Sequence, residues 1–124
     1  MKTQEIEEAF SGRKILDGNN KSFDFEDLAC SVVTFREIDQ LNIIPSLMIH
    51  VLKNKNTNRS LNYAEMIIFR LMPQSAGWKN LIDFMDKNEI TATLRWLKHI
   101  KDYSFVENCT DELRLAVELY ESRC

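Results

Sequence analysis

The feature that most constrains this chain is a recurring pattern: a capping residue followed by apolar residues at helical spacing. Such stretches begin at Thr34, Asn62, Asp86 and Thr110. The clearest follows Asp86, where Glu89 stands three residues later, the spacing of a capping box in which each side chain bonds the other residue's amide. Apolar residues then recur along one face, as an amphipathic helix requires. The pattern predicts an all-α fold.

Glycine and proline are scarce. Three glycines and two prolines among 124 residues are fewer than the tight turns of a many-stranded protein usually need. Hydrophobic residues make up 44% and charged residues 28%, a composition that excludes wholesale disorder. A chain of this length supports one core. We therefore expect a single helical domain over residues 1–124, a compact orthogonal bundle of about six or seven short helices.

Pro45 is expected to stop or kink the short helix that opens at Thr34 and to start another at Ser46. The second of these helices, over residues 46–53, is apolar nearly all round and is therefore predicted to be central. Residues 22–33 fit either a strand or the first turn of a helix, so a strand pair within residues 13–33 stays open. Periodicity places five aromatic side chains mostly in the core: Phe69, Trp78, Phe84, Trp96 and Tyr103.

Acidic charge is concentrated at the two ends of the chain, whose formal charge is −3 overall. Residues 1–30 and 101–124 each carry a net −3, and residues 31–100 carry +3. Acidic ends argue against nucleic-acid binding and suit a basic protein partner through electrostatic steering, although solvated helix faces would look the same. If a partner surface of this kind exists, we expect six residues to form it: Asp24, Glu26, Asp27, Asp111, Glu112 and Glu118.

No residues form a recognisable catalytic, metal or cofactor motif. His50 lies in the most apolar segment, where a buried histidine bonded to the backbone is the usual case, and His99 lies near a helix end. The sequence has no GxSxG motif and no phosphate-binding loop. Its three cysteines lack zinc-site spacing and fit a reduced cytosolic protein. We expect no enzymatic activity, no bound metal or cofactor, no signal peptide and no membrane span.

Two segments resemble parts of small, largely uncharacterised bacterial helical proteins. Residues 34–52, in which a capped short helix runs into an apolar helix start at a proline, carry one part of the likeness, and residues 86–100 carry the other. In size, acidity, thiol content and lack of catalytic motifs the chain is also similar to the immunity proteins of bacterial contact-dependent growth inhibition. That resemblance implies a cytosolic protein that binds and neutralises a toxin domain, and it assigns no site residue.

Three alternatives to an immunity protein remain open at this point. The first is a helical adaptor or regulatory subunit with another protein partner. The second is a small hydrolase that uses His50 or His99. The third is a nucleic-acid binder that uses Lys53, Lys55 and Arg59, and its binding would weaken steeply with salt.

Overall fold

The computed structural model describes residues 1–13, 32–55, 57–75, 77–103 and 109–124. Over these ranges the protein is all-helical and has no strand. The described residues form five α-helices, whereas six or seven were predicted for the whole chain, and two short 3₁₀ turns at Val32–Thr34 and Leu81–Phe84 accompany them. The α-helices are α1 (Thr3–Ala9), α2 (Glu37–Lys53), α3 (Asn58–Leu71), α4 (Lys87–Ile100) and α5 (Thr110–Ser122). The open question of a strand pair falls largely outside the described residues.

Helix α2 runs without a break through Pro45, so the prediction that two separate helices meet there is wrong. Proline lacks the amide hydrogen that an interior helical position would donate to Leu41, and its ring crowds the preceding turn. Pro45 is nevertheless buried, as are its neighbours Ile44 and Leu47. Burial of this apolar stretch outweighs the local cost of the proline. The prediction that residues 46–53 are central is confirmed for the first half of that stretch.

The capping box at the start of α4 is confirmed, whereas other predicted caps are displaced. The Glu89 amide donates to Asp86 Oδ1 over 2.8 Å, and the Asp86 amide donates to Glu89 Oε1 over 2.9 Å. Helix α3 begins one turn before Asn62 and is capped by Thr57, whose hydroxyl accepts from the Ser60 amide over 3.2 Å. Thr57 was missed because it lies in a polar connector with no apolar periodicity.

The remaining two predicted caps also differ. Thr34 lies in a 3₁₀ turn, and Arg36 precedes α2 without a side-chain cap bond. Thr110 is the first residue of α5 rather than its cap, a shift of one position.

The core is built from buried side chains of all five helices. Helix α2 packs chiefly against α3, α4 packs against α5, and α1 lies against both α2 and α4. Trp96 of α4 is fully buried, and its indole N–H donates to the Met48 carbonyl over 3.1 Å. Its predicted place in the core is therefore confirmed, as is that of Tyr103.

Phe69 and Trp78 are the clear exceptions to the predicted core. Their side chains are 50% and 59% exposed, so the prediction is wrong for both. A third predicted core residue, Phe84, is half-buried against the core. The spacing of Trp78, Leu81, Ile82 and Met85 predicts a helix of one to two turns, but the structure has only the 3₁₀ turn at Leu81–Phe84. Trp78 precedes this turn in an irregular segment.

None of the described helices has both the length and the apolar character needed to cross a membrane.

Candidate functional site

Phe69 and Trp78 line one cleft at the end of α3. The cleft has a volume of about 270 Å³ and is formed by six residues: Met66, Phe69, Arg70, Gln74, Ser75 and Trp78. Exposed large apolar side chains on a stable protein are a common signature of an interaction surface when they lie together. We call this feature the aromatic cleft.

Gln74 holds the loop that carries Trp78 onto the end of α3. Its side-chain Nε2 lies 3.0, 3.2 and 2.7 Å from the carbonyl oxygens of Phe69, Arg70 and Met72. These oxygens lack the partners that a continuing helix would supply. Gln74 therefore satisfies the helix end and fixes the start of the loop.

Further bonds close the loop itself. The Gln74 amide donates to Asn80 Oδ1 over 2.8 Å, and the Trp78 amide donates to the Ser75 carbonyl over 3.1 Å. Gly77 has a φ of +94°, a conformation that residues with a Cβ adopt only with strain. These bonds join residues on either side of Trp78 and hold its backbone amide against Ser75.

The side chain of Arg70 connects this loop to the start of α2 through hydrogen bonds. Its side chain is only 4% exposed. Nε donates to Gln40 Oε1 over 2.6 Å, and Nη1 donates to the Lys79 carbonyl over 3.1 Å. The side-chain Nε2 of Gln40 in turn donates to the Phe35 carbonyl over 2.7 Å. A buried polar chain thus joins the residues before α2 to the residue after Trp78.

The charge of Arg70 has no ion-pair partner among the described residues. Its two hydrogen-bond acceptors in the described chain, Gln40 Oε1 and the Lys79 carbonyl, are neutral. Nη2 is buried and makes no hydrogen bond within the described part of the chain. Burial lowers the pKa of Arg70, and the more distant charge of Glu37 opposes that change. A cation therefore lies beneath the aromatic cleft without a carboxylate against it.

The predicted acidic surface is only partly visible. Asp24, Glu26 and Asp27 lie outside the described residues. Asp111 and Glu112 stand in the first turn of α5, where carboxylates stabilise the helix dipole. Glu118 is exposed and pairs with Arg114 one turn earlier over 3.1 Å. The three described acids therefore share one helix, and one of them already has a cationic partner.

The two histidines lie on different helices in partly buried places. His50 of α2 contacts the Tyr63 ring edge-on at 5.1 Å, and burial lowers its pKa, as does Arg59 to a smaller extent. His99 lies in the last turn of α4, as predicted. Its Nδ1 is 3.3 Å from the terminal amino group of Met1. Burial is the larger cause that lowers the pKa of His99, followed by this amino group and Lys55.

A wider depression of about 560 Å³ has a basic lining. Two of its basic side chains already form ion pairs: Arg95 with Glu5, and Lys98 with Glu121, each over 3.0 Å. Its charge is thus partly neutralised, and its walls offer less exposed aromatic surface than the aromatic cleft. The lining residues are Met1, Lys55, Arg95, Lys98, His99, Asp102 and Tyr103.

Across the described ranges, no three His, Cys, Asp or Glu side chains are grouped so that they could hold a metal ion. Comparison with known proteins adds no assignment: no family model matches the chain, and neither a curated protein nor a solved structure is significantly similar to it. Among the described surfaces, the aromatic cleft stands out because two large aromatic side chains, Phe69 and Trp78, are exposed together there.

Proposed function

We propose that the protein is a protein-binding module whose partner seats on the aromatic cleft. The observation that carries this proposal is Trp78, a 59% exposed tryptophan on a loop held by Gln74, Gly77 and the buried Arg70. Tryptophan, tyrosine and arginine contribute most of the energy at protein interfaces. An exposed indole on a preorganised loop binds without a large entropic cost of ordering the backbone.

The partner class we propose is a bacterial toxin domain, which would make this chain a cytosolic immunity protein. The support is the resemblance in format to such proteins, together with the acids of α5 at Asp111, Glu112 and Glu118. A basic toxin domain would be steered toward such acids, and the apolar contact at the cleft would then hold it. A helical adaptor or regulatory subunit is the second candidate, because the same surface suits any protein partner.

The test is affinity capture from a native lysate, in which four forms of the protein are immobilised on matched supports and the retained proteins are compared. The forms are wild type, a cleft variant with Phe69→Ala and Trp78→Ala, a control Ile38→Ala, and a charge variant with Asp111→Lys, Glu112→Lys and Glu118→Lys. Ile38 is a suitable control because it is 55% exposed and does not line the cleft. Each form is first shown by circular dichroism and thermal unfolding to be folded.

We expect wild type and Ile38→Ala to retain the same protein and the cleft variant to lose it. The purified protein must then bind wild type directly, with an affinity that the cleft variant lowers. Equal retention by the cleft variant would contradict binding at the cleft. The charge variant tests whether the acids of α5 steer the partner. Slower association with the partner and a flatter salt dependence of that rate support steering, and an unchanged association rate refutes it.

The identity of the retained protein decides between the two partner classes. If it is a toxin domain, its expression arrests growth of a test cell, and co-expression of wild type but not of the cleft variant restores growth. If it does not inhibit growth, the immunity assignment is wrong and the adaptor assignment stands.

A further inference from the structure

The aromatic cleft combines apolar walls with a single kind of charge. Met66, Phe69 and Trp78 supply apolar surface, and Gln74 and Ser75 are neutral. Arg70 is the one charged residue among the six that line it. No acidic side chain belongs to the lining.

The charge of Arg70 is felt inside the cleft because no described carboxylate forms an ion pair with it, and Glu37 acts on it only from beyond ion-pair distance. Arginine is almost never this buried without a paired acid, yet the described residues place only the neutral oxygens of Gln40 and Lys79 against it. Beside apolar walls the effective dielectric is low, so a uniform positive potential extends further than it would in water. An anion that enters the cleft is stabilised, and a cation is repelled.

The size of the cleft favours a side chain over a free small molecule. Sites for drug-sized ligands usually enclose about 300–1,000 Å³, and this cleft, at about 270 Å³, lies below that range. It is shallow enough to admit residues of a partner surface and too small to enclose a cofactor. Its walls suit an aromatic or aliphatic side chain.

We propose that the aromatic cleft binds a protein segment in which a carboxylate side chain stands next to an apolar one. The apolar side chain packs against Phe69 and Trp78, and the carboxylate lies in the cleft above the buried side chain of Arg70, whose charge attracts it through space without direct contact. This inference rests on the proposed function and adds the chemistry of the partner's contact residues. A toxin domain that is basic overall would then present a local acidic and apolar spot to this cleft.

The test uses three short peptides and the intact wild-type protein labelled with ¹⁵N. The peptides are N-acetylated and C-amidated Phe-Asp, Phe-Asn and Phe-Lys: the first two are nearly isosteric and differ in charge, and the third carries a longer, cationic side chain. The indole N–H of Trp78 reports on the cleft by NMR. The indole N–H of Trp96, buried and bonded to the Met48 carbonyl, is an internal control in the same spectrum.

We expect the Trp78 signal to shift with Phe-Asp while the Trp96 signal stays in place. The dissociation constant for Phe-Asp should be about tenfold lower than that for Phe-Asn, as attraction to the buried charge of Arg70 at reduced dielectric implies, and Phe-Lys should bind most weakly. Equal constants for Phe-Asp and Phe-Asn overturn the proposal, as does preference for Phe-Lys. Failure of all three peptides to shift Trp78 at about 10 mM, where even weak side-chain contacts register, also overturns it.

Two variants locate the cause of any preference for the acid. Arg70→Lys keeps the charge and should keep the order of the three peptides, whereas Arg70→Met removes the charge and should bind Phe-Asp and Phe-Asn equally. Because either change at a buried position can destabilise the fold, the wild-type comparison of Phe-Asp with Phe-Asn decides the proposal without them. Trp78→Ala should weaken all three peptides, and Ile38→Ala should weaken none.

Different experimental results would refute this inference and the proposed function. A partner protein that needs the cleft, combined with peptides bound equally well, refutes only the carboxylate preference. Selective binding of Phe-Asp without any protein that depends on the cleft refutes only the proposed function.

Discussion

At the scale of single residues, the two buried charged side chains Glu89 and Arg70 show how this protein handles charge in its interior. Glu89 is 2% exposed and belongs both to the capping box of α4 and to an ion pair with Arg13, at 2.7 and 2.9 Å. Arg13 also donates to the Phe84 carbonyl over 2.6 Å. Arg70, by contrast, has only neutral acceptors in the described chain. The first arrangement pairs its charges within the protein, and the second leaves the charge of Arg70 without a carboxylate against it in the described chain.

The double role of Glu89 predicts that it matters more for stability than the cap residue itself. Glu89→Gln removes the ion pair and places an amide donor against Arg13, so it should lower the free energy of unfolding by about 2 kcal/mol. Asp86→Ala removes one cap bond and should cost about 1 kcal/mol. Urea unfolding monitored by circular dichroism measures both.

The control for these two variants is Glu7→Gln at an exposed position of α1, which should change stability by less than about 0.5 kcal/mol. A loss for Glu89→Gln no greater than this would show that the Arg13 contact is not formed in solution.

The two histidines predict a loss of stability in mild acid. Folding lowers the pKa of His50 and of His99 below the usual 6.5, so the unfolded chain takes up protons at a pH where the folded protein does not. The contribution of the histidines to the free energy of unfolding is therefore fully present above their pKa in the unfolded chain. It is lost as the pH falls through their lower pKa values in the folded protein. The groups near His99 are the Met1 amino group, Lys55, Asp102 and Glu5.

The measurement is the free energy of unfolding in urea at about pH 7.5 and about pH 5.5, on either side of the histidine range. A double variant with His50→Gln and His99→Gln should lose less stability between these two values than wild type does. Equal losses in the two proteins would contradict a histidine origin.

At the scale of elements, the sequence predicts a helix correctly where apolar periodicity and capping residues indicate the same bounds. It fails where burial in the tertiary structure overrides the local preference of a residue. The Asp86 box and the buried stripe through Trp96 could be predicted because local chemistry and core packing favour the same structure. Pro45 could not, because its local preference is to end a helix and only the tertiary burial of α2 overrides it. The cap at Thr57 was hidden in a polar stretch that carries no periodic signal.

The start of α3 gives a direct test of this explanation. Thr57→Ala removes the hydroxyl that accepts from the Ser60 amide, so it should lower stability by about 1 kcal/mol. Asn62→Ala changes an exposed interior position of the same helix and should be neutral or slightly stabilising, because alanine has the better helix propensity. Thermal unfolding of the two single variants separates them. A larger loss for Asn62→Ala would mean that the helix begins later than Asn58.

At the scale of the whole molecule, the fold class could be predicted and the candidate site could not. Amphipathic spacing determines which faces turn inward, and that is enough for an all-helical core. Trp78 was assigned to the core because it is large and apolar, yet it follows Pro73 and Gly77 in a segment without regular structure. Those two residues were the available signal that the helical pattern is interrupted there. Arg70 joins segments distant in sequence, and spacing alone does not reveal such contacts.

The central claim is that a protein partner binds at the aromatic cleft, and the affinity of the captured partner for Trp78→Ala tests it most directly. Calorimetric titration of wild type, Trp78→Ala and Ile38→Ala with the purified partner supplies the three dissociation constants. We predict that Trp78→Ala raises the constant by about 30-fold, as loss of a hot-spot residue implies, and that Ile38→Ala leaves it unchanged. Equal constants for wild type and Trp78→Ala would contradict the claim.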